Sequence, residues 1–229
     1  MKHIFLIMLL YTSGYGQKAC PGIDIVNYSG QKYTTVQIGN QCWLKENLNA
    51  GVMINGSSEQ TNNGIIEKYC YQNDPANCIK YGGLYQWNEA MQYNKNPGVR
   101  GICPAGWHIP RIDEFATLTA TVNFDANTLK GKGQENDTGR GMNISGFSGL
   151  LSGYYLSNGI FYALGSYTYF WSSKPKDETN DSCIYLNNNS GNINQSTAME
   201  MCGFSIRCIK NENEILQDTS GIDENKIMK

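Results

Sequence analysis

The chain has 229 residues, a formal net charge of −2 and only 17% charged residues, with tyrosine (15) and glycine (25) abundant. Its acidity sits at the end: Glu212, Glu214, Asp218, Asp223 and Glu224 face only Lys226 and Lys229 there, which leaves residues 17–210 neutral. A neutral body has no electrostatic footprint for a phosphate backbone or an anionic membrane, so nucleic acid is excluded as a partner class.

The first element is Met1-Lys2-His3, followed by an apolar run from Ile4 to Tyr11 and the small residues of Thr12-Ser13-Gly14-Tyr15-Gly16. This reads as a secretory signal peptide over residues 1–16, too short to span a bilayer. Ala19 before Cys20 fits a lipoprotein signal, but Gln17 stands where an aliphatic residue is wanted. Ordinary cleavage near Gly16–Gln17 is therefore the reading, and the expected location is secreted or cell-surface, with no transmembrane segment. Eight cysteines behind an export signal predict a disulfide framework formed in an oxidising compartment.

In the body, Tyr33 to Ile38 alternates with period two and closes at Gly39-Asn40, a strand and turn. Gln41-Cys42-Trp43-Leu44 resumes an apolar stretch, and residues 49–66 read as a long surface loop. Asn73-Asp74-Pro75 places a turn between Cys70 and Cys78. Leu84, Trp87, Ala90 and Met91 fall at helical spacing and predict a helix over 84–93, ended by Asn96-Pro97-Gly98. A second helix is predicted over 111–122. Pro110 suits its start, Asp113 and Glu114 complement its positive end, and Phe115, Leu118 and Val122 share one face. From Phe147 on, short apolar runs are broken by Gly, Ser and Asn. Cys183–Leu186 and Phe204–Ile209 read as strands around an Asn-rich connection, and the acidic tail over 211–229 reads as disordered. The expected fold is α+β: one domain over 17–210 with two early helices and a loop-rich antiparallel strand region, stapled by disulfides.

Several stretches together resemble the Fibrobacter succinogenes major paralogous domain. They are Tyr33-x-x-Val36-x-Ile38-Gly39-x-Gln41-x-Trp43-Leu44-x-Glu46-Asn47-Leu48, Tyr69-Cys70-Tyr71-x-Asn73-Asp74-Pro75-x-Asn77-Cys78 and Tyr81-Gly82-x-Leu84-Tyr85-x-Trp87-Asn88-Glu89-Ala90. Further along come Cys103-Pro104-x-Gly106-Trp107-His108-x-Pro110, Gly146-Phe147-Ser148, Tyr169-Phe170-Trp171-Ser172-Ser173 and Gly203-Phe204-Ser205-x-Arg207-Cys208. The resemblance implies an extracytoplasmic bacterial protein of the kind common in Fibrobacter and the Bacteroidetes group, with a C-type-lectin-like fold shared with formylglycine-generating enzymes. It implies no particular activity. The chain departs from the family pattern at Arg111, where a small capping hydroxyl is common, and at Cys183 and Cys202, which lie outside the common motifs.

Spacing alone does not choose among the many pairings that eight cysteines allow. Cys70–Cys78 closes the Asn-Asp-Pro loop. The lectin-like resemblance implies Cys103–Cys208, tying the start of the second helix to the last strand. Cys183 and Cys202, additions flanking one strand–loop–strand unit, are expected to pair, which leaves Cys20–Cys42. A metal site is not expected, because no Cys-x2-Cys pair exists and the body has one histidine; no cofactor is expected either.

The enzymatic readings are weak. The formylglycine-generating resemblance implies a reactive cysteine pair near the domain's end, where Cys202 and Cys208 lie, but no nearby Lys or His activates a thiol. His108 reads as a packed histidine at the start of the second helix. Asp113 and Glu114, adjacent on a helix, diverge and do not form a glycosidase pair. Trp43, Trp87, Trp107 and Trp171 sit among apolar residues and read as core. The Asn187–Asn194 segment is the most suggestive surface element, because amide groups match the donors and acceptors of sugar hydroxyls. The expected ligand-binding residues are Tyr185, Asn188, Asn189, Asn192 and Asn194. The reading is a non-catalytic, secreted or cell-surface recognition domain for a glycan or a surface protein partner. The alternatives are a structural subunit of an envelope assembly and, behind it, a formylglycine-generating-like oxidase. Oligomeric state is not readable from the chain.

Overall fold

The computed structural model describes residues 17–133 and 141–212. The expected signal segment over 1–16 and all but Asn211 and Glu212 of the expected tail lie outside them. In chain order the first elements are β1 (Ile25–Tyr28), β2 (Gln31–Ile38), β3 (Gln41–Leu44), β4 (Val52–Met53) and β5 (Glu67–Lys68). Then come α1 (Pro75–Tyr81), α2 (Trp87–Ala90), β6 (Trp107–His108) and α3 (Ile112–Thr121). The last are β7 (Ser152–Leu156), β8 (Ile160–Leu164), β9 (Tyr167–Pro175), β10 (Asn180–Asn187), β11 (Asn194–Met199) and β12 (Ile209–Lys210).

Strand makes up 37% of the structure against 15% helix, in two curled sheets that resemble a β-sandwich. The α+β, C-type-lectin-like expectation is therefore corrected. The first five-stranded sheet has the order β1-β2-β3-β12-β6, and the second β11-β10-β9-β7-β8. Sheet one starts as a local hairpin: Tyr28 pairs with Gln31 across Ser29-Gly30, both at positive φ, the geometry of a two-residue hairpin turn. It finishes only when β12 inserts between β3 and β6, with Ile209 opposite both Trp43 and His108.

The predicted helix over 84–93 shrinks to α2. Leu84 and Tyr85 are drawn instead into bridges with Tyr69 and Phe204, and Gln92 and Tyr93 take left-handed backbone that stops the helix. The predicted strand over 204–209 is similarly reduced. Phe204 and Ser205 make isolated bridges to Tyr85 and Phe170, and a ladder resumes only at Ile209. The second predicted helix forms as α3, with Phe115, Leu118 and Val122 buried. At its start Glu114 accepts the Arg111 backbone N–H at 2.7 Å, and its carboxylate also meets the Arg111 guanidinium at 3.2 Å. The polar Arg111 thus joins the helix start through its charge rather than as a capping hydroxyl.

All four tryptophans are buried. Trp43, Phe115, Phe147 and Phe170 pack in one cluster, and Trp87, Trp107, Trp171 and Phe204 in another. The fully buried Arg207 fastens the two sheets. Its guanidinium donates to the carbonyls of Leu44 and Phe147 and to Asn47 Oδ1 (2.6 Å), and lies over the rings of Phe147 (4.2 Å) and Phe170 (5.4 Å). Burial pushes its pKa down to about 9, with the Glu46 carboxylate opposing.

Candidate functional site

Disulfides join Cys20–Cys42, Cys70–Cys78 and Cys103–Cys208. The expected fourth bridge is not formed: Cys183 and Cys202 are both buried thiols. The ladder sets Cys183 directly opposite Ser196 on β11, whereas Cys202 lies past the end of that strand, in the turn whose Cys202 N–H bonds Met199 O at 2.9 Å. Cys208, one of the two cysteines nearest the position of a reactive pair, is held in a bridge.

His108 is buried, with Nδ1 2.7 Å from Asn211 Oδ1 and Nε2 3.0 Å from both Glu114 oxygens. Both ring nitrogens are thus occupied in tying β6, α3 and the end of β12 together. Among the described residues no group of three or more His, Cys, Asp or Glu side chains is arranged to hold a metal ion. An open groove of about 260 Å³ between α3 and the second sheet is lined mainly by apolar residues, among them Ile112, Phe115, Phe124, Ile184 and Ile193, with Thr119 and Gln195 as its polar members.

The opposite face of the second sheet is different. Strand pairing sets Tyr162 of β8 opposite Tyr154 of β7, Tyr169 of β9 opposite Tyr185 of β10, and Tyr185 opposite Asn194 of β11. The parallel β7–β9 contact pairs Gly153 with Thr168, which brings Tyr154 beside Tyr169. The row Tyr162–Tyr154–Tyr169–Tyr185–Asn194 therefore crosses all five strands. Its ring centroids are 5.8, 5.1 and 5.1 Å apart, and Tyr167 adds a further ring 6.3 Å from Tyr169 and 6.2 Å from Tyr185. Residues of opposite parity (Phe170, Ile184 and Leu186) point into the core toward α3, as period-two alternation requires.

The row is fixed on its own face by Phe204 and stays partly accessible. Phe204 stacks on Tyr169 at 4.7 Å and on buried Trp171 at 4.2 Å. Gly153, at φ +66°, lets the β7 backbone approach β8 closely; a Cβ there would lie 2.6 Å from the Tyr162 carbonyl oxygen. Tyr154, Tyr162, Tyr169 and Tyr185 are half-buried, and Tyr167 is 37% exposed. The hydroxyls of Tyr154, Tyr167, Tyr169 and Tyr185 make no hydrogen bond to the described residues, and Tyr162 Oη accepts only a 3.4 Å bond from Asn158. Burial first, then the neighbouring Tyr154, pushes the Tyr169 phenol up to about 12, and burial likewise raises Tyr154. These rings stay neutral donors and acceptors at ordinary pH.

Of the residues expected at a ligand site, Tyr185 and Asn194 lie together in this row. Asn188, Asn189 and Asn192 sit on the β10–β11 turn, and Asn189 and Asn192 are exposed. That turn is itself built by polar bonds. Asn189 N donates to Asn187 Oδ1 and Asn192 N to Ser190 Oγ, while buried Lys130 donates to the Asn187 and Ser190 carbonyls at 2.9 and 3.0 Å. Sequence reasoning missed Tyr154, Tyr162, Tyr167 and Tyr169. Two signals pointed to them: Tyr154 and Tyr162 are equidistant from Asn158 beside Gly159, and Tyr167 and Tyr169 are two apart.

The family model for the Fibrobacter succinogenes major domain matches residues 36–210. The chain belongs to this family. The matched span of the Fibrobacter succinogenes major domain includes both sheets except β1 and the first residues of β2, two of the three disulfides and the whole tyrosine row. No curated protein and no solved structure matches the chain.

Proposed function

We propose that the chain is a non-catalytic extracytoplasmic recognition module that binds a neutral glycan across the tyrosine row. The observation that carries this reading is the row itself: five rings and an amide on one solvent-facing sheet side, without a charged side chain among them. Aromatic faces pack against the C–H faces of sugar rings, while free hydroxyls and the Asn194 amide meet sugar hydroxyls. A row without charge suits a ligand without charge. The extracytoplasmic part rests on the family match and on three disulfides, which persist in oxidising compartments. No helix among the described residues is long and apolar enough to cross a membrane.

The test is retention on neutral polysaccharides, followed by calorimetry on a soluble oligosaccharide that competes. Tyr167→Ala with Tyr185→Ala removes two rings and is expected to weaken binding about tenfold or more, at ~0.5–1.5 kcal/mol per aromatic contact. Asn189→Ala with Asn192→Ala separates the row from the turn, since loss of binding there alone would move the site onto the β10–β11 turn. Unchanged affinity in the natively folded double-tyrosine variant would sink the assignment.

One observation favours a second reading, a structural subunit of an envelope assembly. Strand β11 is an edge of the second sheet, six residues long, whose outer backbone groups are available to another strand. A concentration-dependent oligomer in light scattering, without ligand, would support it.

A further inference from the structure

Two thiols at the second sheet are not used by the tyrosine row. Cys183 on β10 is 0% exposed and lies opposite Trp171 of β9, on the same sheet face as Tyr185. Cys202, 3% exposed, follows β11 in the turn that leads into Phe204. Phe204 stacks on Trp171 and Tyr169, the β9 residues opposite Cys183 and Tyr185. Residues 203–205 bond between β7 and β9, which sets the Phe204 side chain on the face that bears Cys183, and both cysteines belong to one packed cluster. They are electrostatic neighbours as well: burial chiefly, then the charge that Cys202 would carry, pushes the Cys183 thiol up to about 12. Burial raises Cys202 too. Two neighbouring thiols in a protein with three closed bridges have an obvious chemical course open to them, and their burial makes that course depend on movement of the turn.

We propose that Cys183 and Cys202 are a redox-active dithiol that closes to a fourth disulfide by exchange with an external disulfide, fastening the turn after β11 to β10. One cysteine, as thiolate, attacks the external disulfide; a mixed disulfide forms and one external thiolate leaves, taking up a proton. The second cysteine loses its proton and attacks the first cysteine's Sγ in the mixed disulfide, and the other external thiolate leaves and takes up a proton. Two electrons pass from the protein sulfurs to the external disulfide, which departs as two thiols. Because burial disfavours both thiolates, exchange is slow in the closed fold and accelerates when the turn opens. This inference stands apart from glycan binding and survives or fails independently of it.

The experiment uses the mature full-length protein, first exposed to a mild reductant that leaves the three bridges closed, then to excess oxidised glutathione. Samples are quenched by alkylation under denaturing conditions and mapped by peptide mass spectrometry. The expected result is two alkylated cysteines, 183 and 202, in the reduced sample. In the oxidised sample no alkylation is expected, together with a cross-linked peptide pairing Cys183 with Cys202 and a mass lower by two hydrogens. Cys183→Ser should abolish the cross-link and leave Cys202 alkylated or carrying one glutathione. Because the wild-type map decides the matter alone, a variant that misfolds leaves the test intact. Persistence of both thiols in excess oxidised glutathione, or recovery of either cysteine joined to one of the other six, would overturn the proposal.

Discussion

The two sheets are held by different means. Sheet one is assembled from strands scattered from β1 to β12, two of them (β6 and β12) only two residues long, and two of the three disulfides tie segments that build it. Sheet two is contiguous between residues 152 and 199, made largely of hairpins with longer strands, and holds no disulfide; its cysteine on β10 is a thiol. Short strands from distant parts of a chain gain little from local pairing and carry a large closure entropy, which covalent bridges offset. Long adjacent strands secure themselves by ladder bonds and cross-strand side-chain pairs. The tyrosine row lies on the sheet without a closed bridge.

The largest effect should come from opening the long bridge. Replacing Cys103 and Cys208 together by serine removes a cross-link with sequence separation 105 and is expected to cost ~4–5 kcal/mol in thermal or denaturant unfolding. A loss below about 1 kcal/mol would break the contrast, because sheet one would then stand without its staple. Next comes Arg207→Ala, which strips donors from Leu44 O, Phe147 O and Asn47 Oδ1 between the sheets. A buried acceptor left unsatisfied costs about 1–3 kcal/mol, so a loss of roughly 3 kcal/mol or more is expected. Near-wild-type stability would show that the sheets adhere by apolar packing alone.

The smallest effect sharpens the account of sheet two and depends on pH. Asp181 is 2% exposed, its Oδ2 has no partner among the described residues, and burial chiefly, with Glu200 and Asp177 adding and Lys95 opposing, pushes its pKa up to about 7. A carboxyl with a raised folded-state pKa favours folding fully below its unfolded value. That contribution is lost as pH rises through the folded value. Wild-type stability should therefore fall between about pH 4 and pH 7–8, by at most a few kcal/mol at ~1.4 kcal/mol per pKa unit. Asp181→Asn should remove most of that slope and melt higher than wild type at pH 8. Melting curves across this range decide it; parallel curves for the two proteins would place the carboxyl in contact with water.

Much of the local architecture was legible in the sequence. The apolar spacing of Phe115, Leu118 and Val122 gave α3 within a residue at each end, and the alternation from Tyr33 to Ile38 gave β2. The 84–93 helix failed because its first residues had a better use: Leu84 and Tyr85 pair with strand-like segments remote in sequence, and periodicity alone does not register a competing partner. Fold class failed for a related reason. Glycine and asparagine interrupt the apolar runs after Phe147, and they read as loop when they are the hairpin turns of a continuous sheet. For the candidate site, Tyr185 and Asn194 were in view, but the row was not. Its members come from five strands, and which tyrosine faces which is set by register and by the single parallel contact of β7 with β9.

The insertion of β12 between β3 and β6 also sets an order of events. As the chain is synthesised, β7 to β11 are complete by residue 199, while the centre of the other sheet stays open until residues 209 and 210 arrive. Cys103 waits for Cys208 throughout that interval, with Cys183 and Cys202 already emerged as competing partners. The last residues of the domain thus decide whether its longest cross-link forms correctly. A nascent chain halted just short of residue 208 would hold a finished tyrosine row on an unfinished base.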